Sequence, residues 1–84
     1  MNFEELFLEG KTFIEKELPS GKAFEVKDCF PPKIWNEEPV RDRRLFGKYF
    51  AYQIRLGRIP SVVQTADNPN ARHNMYLKVN NYEK

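Results

Sequence analysis

The chain of 84 residues contains one cysteine, Cys29, and one histidine, His73, and this scarcity excludes several kinds of site. A single thiol cannot form an internal disulfide or a multi-thiolate metal site, and it is typical of a reducing compartment. A zinc site with one histidine would need several carboxylate ligands. We therefore expect no metal, no cofactor and a cytoplasmic location.

Long hydrophobic runs and secretion signals are missing as well. No stretch approaches the roughly 20 apolar residues that cross a bilayer. The first five residues include two acids and lack the positive and apolar regions of a secretory signal. The sequence therefore predicts a soluble intracellular protein with no membrane partner.

Catalytic signatures are also absent. There is no Walker loop, no glycine-rich dinucleotide turn and no nucleophile elbow. Cys29 and His73 are the one thiol–imidazole combination, but they fall on different predicted elements, and a small buried thiol is the better interpretation of Cys29. Adjacent acids such as Glu4 and Glu5 diverge by about 100° on a helix, so they do not form an acid–base pair. We predict no enzyme and no small-molecule substrate.

Aromatic residues are plentiful, with seven Phe, four Tyr and one Trp, which is enough for the core of one small domain over residues 1–84. Residues 80–84 are expected to form a frayed polar tail. Residues 1–40 carry nine acids and five bases, whereas residues 41–84 carry three acids and nine bases. This asymmetry points either to an anionic partner for the second half or to attraction between the halves.

Apolar side chains at helical spacing predict a first helix over residues 2–17. Asn2 and Glu5 have the spacing of a capping box at its start, and the segment 18–21 ends it. Gly10 lies in its interior, where a glycine costs up to about 1 kcal/mol and permits a kink or break.

The next segment predicts a strand and a short helix. Residues 22–27 alternate between polar and apolar side chains, which predicts a strand that includes Val26. Asp28 is expected to cap the short helix, and the two prolines that follow suit a first turn, whose amides lack intrahelical partners. Ile34 and Trp35 are expected to bury against the other helices.

A third helix is predicted over residues 40–56, ended by Gly57 in a left-handed cap position. Gly47 lies inside this helix, and an unfavourable interior glycine suggests the close approach of a neighbouring element. Residues 61–65 and 72–79 predict two strands of a hairpin, with alternate apolar side chains of the second strand on one face.

The predicted order is helix, short strand, short helix, long helix and two-stranded hairpin, which is the order of a winged helix. The short strand can pair with the hairpin, so that three helices pack on a three-stranded sheet. We therefore predict an α+β fold of the winged helix-turn-helix kind, with the C-terminal hairpin as its wing.

Four segments of the chain carry a family resemblance, namely Phe24–Phe30, Trp35, Arg44–Phe50 and Gly57–Ile59. On these segments the chain resembles a small bacterial family that is known only as a domain of unknown function and has a winged-helix-like pattern. The resemblance covers most of the chain and depends on apolar and glycine positions. It implies a fold and brings no activity with it.

The predicted third helix has two dissimilar faces. Phe46, Phe50 and Ile54 recur every four residues and mark an inward face. A second set falls within an arc of roughly 80° away from it, and we call this set the basic stripe. The basic stripe consists of Arg41, Arg44, Lys48, Tyr52 and Arg55. Arg43 falls nearer the inward face and is expected to pack or form an ion pair at the helix end.

We predict that the basic stripe binds double-stranded DNA. In helix-turn-helix proteins the second helix of the pair enters the major groove. Arg41 and Arg44 lie in the first turns, where an arginine can contact guanine O6 and N7. Lys48 and Arg55 lie further along and suit phosphates, and Tyr52 can pack on sugar and donate its hydroxyl to phosphate.

The tip of the predicted hairpin, residues 66–74, is a second candidate contact. It contains Arg72 and His73 among several asparagines, and it can act as a wing over phosphates or the minor groove. The simpler role for Arg72 and His73 is hydrogen bonding to the carbonyls of the hairpin itself.

Two other roles for the basic stripe are open. The protein can be an interaction module or dimerisation domain that ignores nucleic acid, with the acidic first helix of one copy against the basic helix of another. The stripe can also pair with the acids of the first helix in the same chain. Exposed ion pairs contribute only about 0–1 kcal/mol each, so folding does not require so many. The sequence names no DNA target and no partner.

Overall fold

The computed structural model describes residues 2–65 and 74–79 of the chain, which form three α-helices and a three-stranded antiparallel sheet. The elements are α1 (Phe3–Lys16), β1 (Ala23–Phe24), a 3-10 helix (Val26–Cys29), α2 (Pro32–Glu37), α3 (Val40–Arg55), β2 (Val62–Gln64) and β3 (Tyr76–Lys78). The predicted α+β class and element order are confirmed, and the 3-10 helix is an addition to them. The predicted tail, residues 80–84, lies outside the described residues.

The sheet has the strand order β1-β3-β2, and both neighbouring pairs are antiparallel. The predicted pairing of the short strand with the hairpin is therefore confirmed. The buried side chain of β3 is Tyr76, whose ring lies 5.8 Å from that of Phe24 and 5.1 Å from that of Phe50. The alternate apolar side chains predicted for the second hairpin strand lie on the side of β3 opposite Tyr76. Met75, which belongs to them, is exposed.

The first helix begins and packs as a continuous rod. The side chain of Asn2 accepts a hydrogen bond from the backbone N–H of Glu5 at 3.0 Å, which is half of the predicted capping box. α1 runs through Gly10 without the break that the sequence permits. A Cβ atom at Gly10 would lie 3.1 Å from Cζ of Phe30, so this glycine allows a close contact instead of a kink.

Lys78 of the sheet binds carbonyl groups at the C-terminal end of α1. The ammonium of Lys78 donates to the carbonyls of Ile14 at 2.6 Å and Leu18 at 2.5 Å. The last carbonyls of a helix lack intrahelical partners and carry partial negative charge, so a cation there stabilises both the helix end and its contact with β3.

Aromatic rings fill the core between the three helices and the sheet. Phe46 of α3 contacts the rings of five neighbours, and Phe50 continues the same buried face. Trp35 is buried as predicted, and it stacks on Phe30 with ring centroids 5.5 Å apart. Ile34 is exposed, contrary to the expectation that it is buried, because adjacent side chains of a helix diverge by about 100° and α2 packs through Trp35.

The segment after β1 departs from the predicted strand. β1 ends at Phe24, and Val26 begins the 3-10 helix. Asp28 does not cap α2; its carboxylate accepts from the backbone N–H of Glu25 at 2.9 Å and so holds the 3-10 turn together. This turn interrupts the alternation of polar and apolar side chains and brings Cys29 and Phe30 into the core.

The end of α3 positions the residue that follows it. Gly57 has a φ of +79°, and its N–H donates to the carbonyl of Ile54 at 2.9 Å. The N–H of Arg58 donates to the carbonyl of Gln53 at 3.2 Å, which completes a Schellman motif. The helix therefore ends within one residue of the prediction, and the chain reversal directs Arg58 back along α3.

Candidate nucleic-acid interface

All five residues of the basic stripe are exposed on α3. Tyr52 keeps 52% of its surface accessible, whereas Phe46 and Phe50 on the opposite face are fully buried. The guanidinium carbon of Arg55 lies 6.0 Å from the centre of the Tyr52 ring. The two faces predicted from the spacing are present, and the stripe faces solvent.

The ion pairs within residues 2–65 and 74–79 leave the basic stripe out. They join Lys27 to Glu25 at 4.0 Å and Arg58 to Glu4 at 2.6 Å. The hypothesis of internal pairing with the acids of α1 is therefore wrong about the stripe. α1 does supply an acid, Glu4, to a base of the second half, but that base is Arg58, which lies beyond the end of α3.

The contacts of Arg58 form the polar cluster that joins α1 to α3. Its two terminal nitrogens donate to the two carboxylate oxygens of Glu4 at 2.9 and 2.6 Å. One of them also donates to the side-chain oxygen of Gln53 at 2.9 Å, and the guanidinium lies 4.8 Å from the centre of the Phe7 ring. The hydroxyl of Tyr49 donates to the same carboxylate. Arg58 is thus held on several sides by the fold.

This cluster shifts the pKa values of its members. Hydrogen bonds from Arg58 and then from Tyr49 lower the pKa of Glu4 from 4.5 to about 2. The hydrogen bond to the Glu4 carboxylate raises the pKa of Tyr49, and the same partner raises the pKa of Arg58. The sequence predictions missed the cluster because Glu4 and Arg58 are 54 residues apart, and no local pattern joins them.

Arg43 also serves the fold. Its Nε donates to the carbonyl of Glu38 at 3.0 Å, across the short connection between α2 and α3. The expectation that Arg43 packs at the helix end is confirmed, with a carbonyl as its partner. The bases of this region therefore divide into those fixed by intramolecular contacts, Arg43 and Arg58, and those of the basic stripe.

Apolar side chains accompany the cations on the outer surface of α3. Leu45 is 43% exposed and Leu56 is 57% exposed. At about 100° per residue both fall on the same side of the helix as Tyr52. The outer side of α3 therefore presents apolar side chains as well as cations.

A cleft of about 740 Å³ opens beside the basic stripe, between α3 and the 3-10 helix. Arg44 and Lys48 belong to both the stripe and the cleft, and Lys27 lines the cleft from the 3-10 helix. The other described lining residues are Glu25, Val26, Trp35, Val40, Arg43, Gly47, Asn74 and Tyr76. The cleft combines an apolar lining with an excess of positive charge.

Gly47 faces this cleft, and its surroundings contradict the sequence interpretation. A Cβ atom there would meet no atom within 4 Å among the described residues, so no neighbouring element requires a glycine. The close approach expected at Gly47 occurs at Gly10 instead. An interior helix glycine costs about 1 kcal/mol relative to alanine, and at Gly47 no contact in the described part of the fold offsets that cost.

Cys29 is the described member of the thiol–imidazole combination, and it lies in the core. Burial, and next the charge of Asp28, raises the pKa of the Cys29 thiol to about 12, so it is a buried thiol as predicted and a poor nucleophile. The part of the chain that the structure describes contains no group of three His, Cys, Asp or Glu side chains able to hold a metal ion. Arg72 and His73 lie outside the described residues.

Comparison with known proteins identifies a family. A family model described as a domain of unknown function, DUF1413, matches residues 10–78. No curated protein and no solved structure matches the chain. The matched segment begins within α1 and ends with β3, so it includes the basic stripe and the cleft. None of the described helices has the length and apolar character needed to span a bilayer.

Proposed function

The chain belongs to the DUF1413 family, and we propose that it binds double-stranded DNA through α3. The observation that carries this proposal is the basic stripe: its cations are exposed on one helix face and have no ion pair within the described residues. Arg43 and Arg58, by contrast, have intramolecular partners. Since no acid of the described residues pairs with the stripe, its cations are available to an external polyanion.

The elements around α3 support DNA as that polyanion. The order of the elements and the sheet order β1-β3-β2 favour a winged-helix assignment, in which α2 and α3 form the helix pair and α3 enters the major groove. At about 1.5 Å per residue, the stripe from Arg41 to Arg55 is about 21 Å long, which corresponds to roughly six base pairs.

The proposed roles within the stripe follow from position along α3. Arg41 and Arg44 near the helix start contact base edges, and Lys48 and Arg55 contact phosphates. Tyr52 packs on a sugar. The hairpin tip with Arg72 and His73 acts as the wing, in a role that stays a prediction. The proposal is a binding function without catalysis, in the cytoplasm.

Salt dependence tests the proposal directly. The full chain is titrated with a fluorescein-labelled duplex, and the affinity is followed by fluorescence anisotropy. Two to four phosphate contacts predict a loss of affinity of about tenfold to a hundredfold between about 50 and 200 mM salt, because each contact releases counterions from the DNA. Absence of binding at low salt, or an affinity that does not change with salt concentration, would contradict the proposal.

A charge-reversed variant locates the interface. Arg44→Glu should abolish binding while the free energy of unfolding stays within about 0.5 kcal/mol of the parent, because Arg44 is exposed and makes no ion pair in the described structure. Lys22→Glu makes the same change in net charge at an exposed position outside α3 and should bind like the parent. Equal losses in both variants would point to net charge instead of a site.

A protein-interaction module is the second candidate function. The exposure of Leu45, Tyr52 and Leu56 on the outer side of α3 favours it, because apolar side chains contribute more to protein interfaces than to phosphate contacts. Sedimentation velocity over a range of protein and salt concentrations separates the two functions. A salt-sensitive dimer that does not bind duplex DNA would favour the interaction module.

A further inference from the structure

We propose that one strand of the bound DNA lies in the cleft between α3 and the 3-10 helix, with its sugar-phosphate backbone against Gly47 and beside Lys27. The inference rests on the proposed function. It adds Lys27 and Gly47 to the interface, neither of which belongs to the basic stripe.

The charges of the cleft favour a long anion. α3 contributes Arg43, Arg44 and Lys48 to one wall, and Lys27 lies on the other, against the single acid Glu25. Lys27 approaches Glu25 only to 4.0 Å, and 56% of its side chain is exposed, so its ammonium is accessible to a ligand. A phosphodiester chain carries regularly spaced negative charge and fits between two basic walls.

Gly47 leaves the backbone of α3 uncovered between Arg44 and Lys48. Packing does not explain this glycine, since a Cβ atom would find open space among the described residues. Glycine in the middle of a helix is unfavourable, and one of its uses is the close approach of the backbone to a ligand. A DNA strand that contacts the helix at this position would explain the glycine, which no contact in the described fold explains.

The cleft is continuous with the basic stripe. Arg44 and Lys48 belong to both, so a strand in the cleft lies beside the groove that α3 enters. Val26 and Val40 line the cleft and offer apolar contact to deoxyribose. An acidic peptide matches the charge of the cleft, whereas a duplex also spans the basic stripe from Arg41 to Arg55.

Substitution of Gly47 tests the close approach. Gly47→Ala should raise the melting temperature by about 4–8 °C, because alanine favours the helix and meets no atom within 4 Å in the described structure. The same variant should bind duplex DNA several-fold more weakly than the parent, and Gly47→Leu should bind more weakly still. Thr12→Ala, an exposed change that favours α1, is the control and should leave DNA affinity unchanged.

Substitution of Lys27 tests the second wall. Lys27→Ala should reduce the slope of log affinity against log salt by about one, which is the signature of one lost phosphate contact. Lys22→Ala removes a lysine that is exposed but does not line the cleft, and its slope should equal that of the parent.

The outcomes separate this inference from the proposed function. Weaker binding by Gly47→Ala and Lys27→Ala supports the strand in the cleft. If Arg44→Glu abolishes binding while the Gly47 and Lys27 variants bind like the parent, the inference is overturned and DNA binding stands. If the parent binds no duplex, both are overturned. If a polyglutamate peptide binds in a Gly47-dependent way and duplex DNA does not, the cleft belongs to an acidic protein segment.

Discussion

Aromatic and arginine side chains occur on both faces of α3, but they are buried or paired on one face and exposed on the other. On the inner face, aromatic rings are fully buried, and Arg58 beyond the helix end is fixed on Glu4. On the outer face, Tyr52 is half exposed and the arginines of the basic stripe have no acidic partner in the described structure. The proposed function therefore assigns stability and binding to separate faces of one helix, and variants should affect them separately.

The largest expected effect comes from the inner face. Phe50→Ala should lower the free energy of unfolding by about 3–5 kcal/mol, because it opens a cavity in a fully buried site. Phe50 contacts the rings of Phe7 at 5.7 Å and Tyr76 at 5.1 Å. Urea denaturation followed by circular dichroism measures the loss. Tyr52→Ala is the matched outer-face variant and should change stability by less than about 0.5 kcal/mol while it weakens DNA binding.

Comparable losses of stability in Phe50→Ala and Tyr52→Ala would contradict this separation of the faces. They would mean that Tyr52 is packed in solution, which would remove Tyr52 from the exposed surface of the basic stripe.

An intermediate effect is expected at Gly10, the interior glycine of α1. Gly10→Ala places a Cβ 3.1 Å from Phe30, whose ring is stacked on Trp35 and cannot move freely. The cost of crowding should exceed the gain in helix propensity and give a net loss of up to about 2 kcal/mol. Gly47→Ala should change stability in the opposite direction. Thermal unfolding of the two variants measures both signs, and stabilisation by Gly10→Ala would show that Phe30 can yield.

The periodicity of the sequence correctly predicted which side of α3 is buried and which is exposed. The burial of Phe46 and Phe50 and the exposure of the basic stripe follow from helical spacing alone. The order of the elements and the pairing of β1 with the hairpin also followed from local patterns. Such patterns encode which side of an element is apolar, and that is the information needed to place a face.

The contacts between distant segments were not predictable in this way. Arg58 and Arg44 have the same side chain, and only the three-dimensional fold shows that one of them meets Glu4. The interpretations of Gly10 and Gly47 were reversed for the same reason, because the role of a glycine depends on what lies opposite it. The strand through Val26 failed because the capping interactions of a short turn outweighed weak alternation.

The smallest expected effect is the pH dependence of the Glu4–Arg58 pair. The folded state lowers the pKa of Glu4 from 4.5 to about 2, so the unfolded state binds a proton more readily. The stabilisation is therefore complete above about pH 5, and it is lost as the pH falls through the folded value. The effect should be modest because both side chains are partly exposed.

Glu4→Gln removes the titrating group and keeps the shape of the side chain. The difference in melting temperature between the parent and this variant should be largest near pH 7 and should shrink as the pH approaches about 2. Glu5→Gln changes an exposed neighbouring acid that has no side-chain partner in the described structure, and it should show no comparable loss. A Glu4→Gln difference that stays constant across this range would mean that the pair does not form in solution. The acidic face of α1 would then be free to meet the basic stripe of another copy, and the separation of the two faces of α3 would have to be reconsidered.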